Sequence, residues 1–197
     1  MRIARDAMFL KIAEIFGERA TCNRGKSGAV LVKDRHIIAA GYVGAPPGFP
    51  HCDEAGHDLR TVKGEDGEEH IHCTRTIHAE TNAILQSASF GISCRGATLY
   101  CHMTPCKNCA MLIVGVGIIR VVCNKRYHSD AESLSILRRA GIEVLIMNNV
   151  VEDYPGQKTC SECGCLEDME DPTHRHCWHV HDLQSAEQFG CTLFKKK

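Results

Sequence analysis

His78-Ala79-Glu80, followed further along the chain by Pro105-Cys106-Lys107-Asn108-Cys109, is the stretch from which the rest of the sequence can be read. One imidazole and two thiolates can hold a zinc ion and leave its fourth position open, the arrangement of catalytic rather than structural zinc sites. Glu80, two residues after the histidine, can serve a coordinated water as a proton shuttle without binding the metal. Singly, each piece has a plainer reading: C-x-x-C as a redox pair or half a zinc knuckle, and a lone histidine as a satisfied core or surface residue. In this order, with proline before the first cysteine and glutamate after the histidine, they match the H-x-E…P-C-x-x-C pattern of zinc-dependent base chemistry.

The apolar rhythm around the motif is consistent with this reading. Ala83, Ile84, Leu85 and Ala88 predict a helix from Thr81 to Phe90, stopped at Gly91, with His78 and Glu80 at its first turn. Ala97 to Cys101 reads as a buried strand and Cys106 to Val116 as the next helix, with Cys106 and Cys109 on one face of its first turn. Helix starts carry unpaired N–H groups and partial positive charge, which favour thiolate over thiol. Outward from there, Ala4 to Arg19 reads as a helix. Ser27 to Val32 and His36 to Tyr42 read as antiparallel strands about Lys33-Asp34-Arg35, Ile118 to Cys123 and Ile142 to Met147 as further strands, and Asp130 to Ala140 as a helix before Gly141. Strand–helix alternation in the second half predicts parallel neighbours. The expected fold is α/β in three layers, a five-stranded mixed sheet with helices on both faces. It occupies residues 1–148, followed by a Cys/His-rich extension over 149–197.

Residues from about 5 to 150 resemble the cytidine and deoxycytidylate deaminase family, and specifically its deoxycytidylate (dCMP) branch. The resemblance is carried by Ser27-Gly28-Ala29-Val30, Gly41-Tyr42, Arg75 to Ile84, Gly96 to Tyr100, Thr104 to Ala110 and Ala140 to Val144. The insert from Gly44 to Thr74 and the tyrosine in Lys125-Arg126-Tyr127-His128 point to the dCMP branch. The resemblance implies hydrolytic deamination of dCMP to dUMP and ammonia, with zinc on His78, Cys106 and Cys109 and Glu80 as the proton carrier. It also implies a role for Asn82 in seating the base and for Tyr127 near the nucleotide. It further implies a homo-oligomer, commonly a hexamer, and effectors dCTP, with Mg2+, and dTTP. Val43 departs from the branch, many members of which carry Asn there. Another deaminase of the same fold is the first alternative. A competence-related protein using the fold without turnover, or a nucleic-acid-binding zinc module, is the second.

A nucleotide needs a phosphate site, for which Arg24, Lys26, Arg75, Lys125 and Arg126 are cationic candidates. The chain has 13 Cys, and the motif uses only two of them. With no apolar leader at its start, the chain reads as cytoplasmic, where spare cysteines indicate metal sites more than disulfides. Cys22, Cys52 and Cys73 with one histidine, His72 or His57, are expected to hold a second, structural zinc. In the extension, Cys160, Cys163 and Cys165 with His174, His176, Cys177, His179 and His181 have zinc-finger-like spacing and are candidates for a third site. A net charge of −1 and a pI near 6.8 give no broad basic surface for nucleic acid, and no apolar run is long enough for a membrane span. The expected partner is a small nucleotide.

Overall fold

The structure is a computed structural model, which describes residues 2–63 and 69–151. The expected boundary at 148 and the extension's metal-ligand grouping therefore lie at its limit and beyond it respectively. Val150 and Val151 still touch the sheet: the Arg126 amide donates to the Val150 carbonyl at 2.8 Å, and Arg126 bridges Val151.

Five strands form one sheet in the order β2-β1-β5-β6-β7. They are β1 (Gly28–Lys33), β2 (His36–Tyr42), β5 (Thr98–Met103), β6 (Arg120–Lys125) and β7 (Glu143–Ile146), with helices α1 (Arg5–Gly17), α3 (Ala79–Ser89), α4 (Lys107–Gly115) and α5 (Ala131–Arg139). β1 pairs antiparallel with β2 and β5, while β5, β6 and β7 run parallel, so the sheet is mixed as expected. Asp34 and Arg35 both take left-handed backbone angles (φ 48° and 69°), the geometry of a two-residue hairpin turn whose twist matches its strands.

Alternation along the strands separates two cores. Val30, Val32, Ala40, Tyr100 and Val122 face α1 through Phe9, Leu10 and Ala13. Their neighbours Ala29, Leu31, Leu99, Cys101, Val121 and Cys123 face the other way, against Ala83 and Ile84 of α3, Ile113 of α4 and Leu137 of α5. Burial on both faces explains why β1, β5 and β6 are almost continuously apolar. Each fully buried Leu, Ile or Val contributes roughly 1.5–3 kcal/mol. Helix α3 rests directly on β2: a methyl group on Gly41 would overlap the Ala79 carbonyl and the Ala83 amide. That close approach fixes the height of the His78 and Glu80 end above the sheet.

The insert between β2 and α3 holds elements that the apolar pattern did not reveal. A short helix α2 (Cys52–Ala55) precedes a separate two-stranded sheet of β3 (Leu59–Lys63) and β4 (Glu69–Cys73). This hairpin buries little apolar surface, so it carries almost no hydrophobic signature.

Candidate active site and second metal centre

His78 and Cys106 occupy equivalent places, each the residue that caps the start of its helix with extended backbone (ψ 153° and 169°). Cys109 lies in the first turn of α4. The His78 Nδ1 stands 3.4 Å from the Cys106 sulfur and 3.5 Å from the Cys109 sulfur. Donors around a tetrahedral zinc, with bonds of ~2.3 Å to sulfur and ~2.0–2.1 Å to nitrogen, stand roughly 3.5 Å (N to S) and roughly 3.8 Å (S to S) apart. The three side chains therefore fit zinc in both spacing and softness. The Thr81 hydroxyl lies 3.5 Å from the Cys109 sulfur and helps fix it.

The electrostatics agree with a cluster built around one thiolate. A hydrogen bond from Cys109, reinforced by His78, pulls Cys106 down to about 4. The bond to Cys106 lifts His78 to about 9, and that same partner raises Cys109. Glu80 is 7 % exposed, and burial raises its carboxyl despite the opposing pull of His78 and a hydrogen bond with Cys109. A buried carboxyl raised in this way is suited to proton transfer.

The site opens at the carboxyl ends of parallel strands β5 and β6, where α/β sheets receive their ligands. Tyr127 follows β6 and is half-buried; burial and then the charges of Cys106 and Cys109 push it up to about 12, which places it beside the metal ligands. A buried network holds this edge. The Tyr127 amide donates to the Thr104 hydroxyl (2.7 Å), which donates to Asp130 (2.9 Å), whose carboxylate also accepts from Arg126 (2.9 Å). Nothing in the sequence separation of Thr104 from Tyr127 and Asp130 announces their contact, which exists only once β5 and β6 are paired.

The other candidates divide. The Asn82 amide donates to the Tyr42 carbonyl at 2.7 Å, tying α3 to the end of β2. Lys26 is exposed in the loop before β1, and Val43 is half-buried against the core. Of the other cations, Arg126 is engaged with Asp130, and Arg24 donates to the Ile71 carbonyl at 2.9 Å.

Cys22, Cys52, His57 and Cys73 form a second group whose ligand atoms all lie within 4.8 Å of one another. Cys22 sulfur to His57 Nδ1 and Cys52 sulfur to Cys73 sulfur are both 3.6 Å, again tetrahedral spacing. Hydrogen bonds from Cys22 and then His57 outweigh burial and hold Cys73 down to about 3, whereas burial lifts Cys52 to about 11. His72 is not in this group. Side chains alternate along a strand, so His72 faces away from the side to which β4 turns Cys73, and His57, after α2, completes the set. Burial lowers His72, and its strongest charged neighbours are His128, His70, His78 and Arg24.

A sequence profile of the cytidine and deoxycytidylate deaminase zinc-binding region matches residues 3–125. The deoxycytidylate deaminase of Saccharomyces cerevisiae is 35 % identical over 145 residues, 73 % of this chain and 45 % of its own length. The chain thus corresponds to less than half of that longer relative. The deoxycytidylate deaminase of Mycobacterium phage D29 is 39 % identical over 61 % of this chain and 94 % of its own. Among solved structures, the dCMP deaminase of cyanophage S-TIM5 in complex with dCMP and dUMP superposes with a TM-score of 0.60 at 30 % identity, covering 75 % of this chain and 99 % of that one. With the His78, Cys106 and Cys109 cradle and buried Glu80 in place, the chain belongs to the cytidine and deoxycytidylate deaminase zinc-binding family.

Proposed function

We propose that this chain deaminates dCMP hydrolytically to dUMP and ammonia, supplying a precursor for thymidylate. The observation that carries the reading is the placing of buried Glu80 beside three zinc-competent donors at the ends of β5 and β6, supported by relatives and a solved neighbour named for dCMP. A zinc ion on His78, Cys106 and Cys109 would supply Lewis acidity that brings the pKa of a coordinated water toward neutrality. Glu80 takes one proton from the attacking water and delivers it to N3 of the cytosine ring, then takes the remaining proton from the hydroxyl now on C4 and passes it to the amino group there. The C4–N bond breaks, ammonia leaves, and the oxygen remains as the uracil carbonyl.

Cys22, Cys52, His57 and Cys73 are proposed to hold a second, structural zinc that staples the insert to the loop before β1. The same reading takes the enzyme as a cytoplasmic homo-oligomer, hexameric by resemblance, that responds to dCTP with Mg2+ and to dTTP. No described helix is long and apolar enough to cross a membrane.

Ammonia release from dCMP, CMP, deoxycytidine and dCTP, with Glu80→Ala as control and zinc counted per chain, tests the proposal. Equal activity of the parent and the Glu80 variant would overturn the mechanism, and turnover of deoxycytidine without dCMP would overturn the substrate.

A further inference from the structure

Three consecutive side chains at the start of α3 have separate tasks. Glu80 is turned to the chemical step, and the Asn82 amide pins the helix to the Tyr42 carbonyl at 2.7 Å. Thr81, between them, is used neither by the motif nor by the mechanism. Its hydroxyl lies 3.5 Å from the sulfur of Cys109, in the first turn of α4.

The direction of that hydroxyl follows from what the backbone around it has left open. A threonine in a helix ordinarily turns its hydroxyl back to the carbonyl four residues earlier, here that of Ile77. This carbonyl already accepts the Gly44 amide at 3.3 Å and the Asn82 side chain at 3.5 Å, which occupies both of its lone pairs. The close seat of α3 on Gly41 of β2 fixes the turn in place, and so holds the hydroxyl within reach of Cys109.

The Cys109 sulfur has reason to need a donor. Cys109 is 2 % exposed, whereas Cys106 is half-buried, so water can satisfy little of its sulfur. The buried Glu80 carboxyl approaches the same sulfur. A thiolate on a metal carries no proton and can only accept, as can an ionised carboxylate. Two anionic groups then face one another at Cys109, and the Thr81 hydroxyl is the donor beside them. A hydrogen bond to a ligating thiolate also draws charge from the sulfur, which leaves the metal a stronger Lewis acid. In a centre with two anionic sulfurs, whose charges together offset a divalent ion, that withdrawal has a direct bearing on the reaction.

We propose that the Thr81 hydroxyl donates to the metal-bound Cys109 thiolate, orienting that ligand and limiting the charge it gives to the metal. Thr81 is then a positioning residue for the deamination, a role that rests on the zinc reading above.

Cadmium-113 magnetic resonance of the cadmium-loaded full chain tests it in the parent, Thr81→Val, Thr81→Ala and Thr81→Ser. The two metal centres differ in sulfur count, so their resonances separate, with the two-sulfur site at higher field. Valine keeps the side chain's shape and removes the hydroxyl; alanine removes it with less bulk, and serine keeps it. The two-sulfur resonance is expected to move in the valine and alanine variants and to return toward the parent's position in the serine one, while the three-sulfur resonance stays in place. In the zinc form, kcat for dCMP should fall roughly 10–100-fold without the hydroxyl at saturating zinc, with KM near the parent's, and serine should restore it. Zinc content and melting temperature report folding. Resonances that stand at the parent's positions in both hydroxyl-free variants would overturn the donation, whatever their turnover. A shifted resonance with kcat unchanged would overturn its bearing on the reaction. A parent that takes up cadmium at the three-sulfur centre alone would overturn the zinc reading of His78, Cys106 and Cys109 itself.

Discussion

Thr104→Val removes one hydroxyl from a site only 2 % exposed and keeps the side chain's shape. That hydroxyl donates to Asp130, itself 2 % exposed, at 2.9 Å and accepts the Tyr127 amide at 2.7 Å. Valine strands the Tyr127 amide, while Asp130 keeps its bonds from Arg126. Leaving a buried donor unpaired costs about 1–3 kcal/mol, so a loss of about 2 kcal/mol is expected, a sizeable part of the ~5–15 kcal/mol that holds a domain together. For a domain of this size that lowers Tm by roughly 4–8 °C. Calorimetric melting at fixed zinc content measures it directly, and Thr104→Ser, which keeps the hydroxyl, should recover most of the loss. Because Tyr127 hangs from the same hydroxyl, KM for dCMP should rise in the valine variant more than in the serine one. A valine variant that melts within about 2 °C of the parent would refute the reasoning, since it would mean that the Tyr127 amide does not depend on Thr104.

Other outcomes follow from the same geometry. Glu80→Gln should lower kcat by at least roughly 10²–10⁴-fold while the protein retains its catalytic zinc by elemental analysis. His57→Ala should cost one zinc equivalent and raise the protease sensitivity of residues 44–74, whereas His72→Ala should keep the full zinc count. Gly41→Ala should shift α3 off β2, reducing stability and activity together in melting and turnover assays. The Arg120 hydrogen bond holds the Asp6 carboxyl below its ordinary 3.8, with burial opposing and Tyr100 assisting. A carboxyl lowered in the folded state stabilises fully above the unfolded value, and that stability is lost as pH falls through the folded one. Urea midpoints of the parent and Asp6→Asn should therefore differ at pH 7 and converge below about pH 4, the region set by that ordinary carboxylate value.

The features legible in the sequence were those enforced by burial or by metal chemistry. β1, β5 and β6 are covered on both faces, so their apolar runs stand out, and His78, Cys106 and Cys109 must sit at helix starts for their donors to meet. What stayed hidden depended on pairing. The β3–β4 hairpin is held by its backbone ladder with little apolar packing, so neither periodicity nor composition revealed it. Without β4, the parity that separates His72 from Cys73 could not be applied, and His57 and His72 remained equal alternatives. Thr104 is bonded to Tyr127 and Asp130, 23 and 26 residues away in sequence, through the registry of two parallel strands, which no local pattern encodes.

Strand β4 carries Cys73, a member of the second candidate cluster, on one side and His70 and His72 on the other. Equilibrium couplings are reciprocal. Whatever factor a zinc ion at Cys73 adds to nucleotide affinity, bound nucleotide must add to zinc affinity there, so the dissociation rate of that ion, followed with a chromogenic chelator, would report nucleotide occupancy at a separate site.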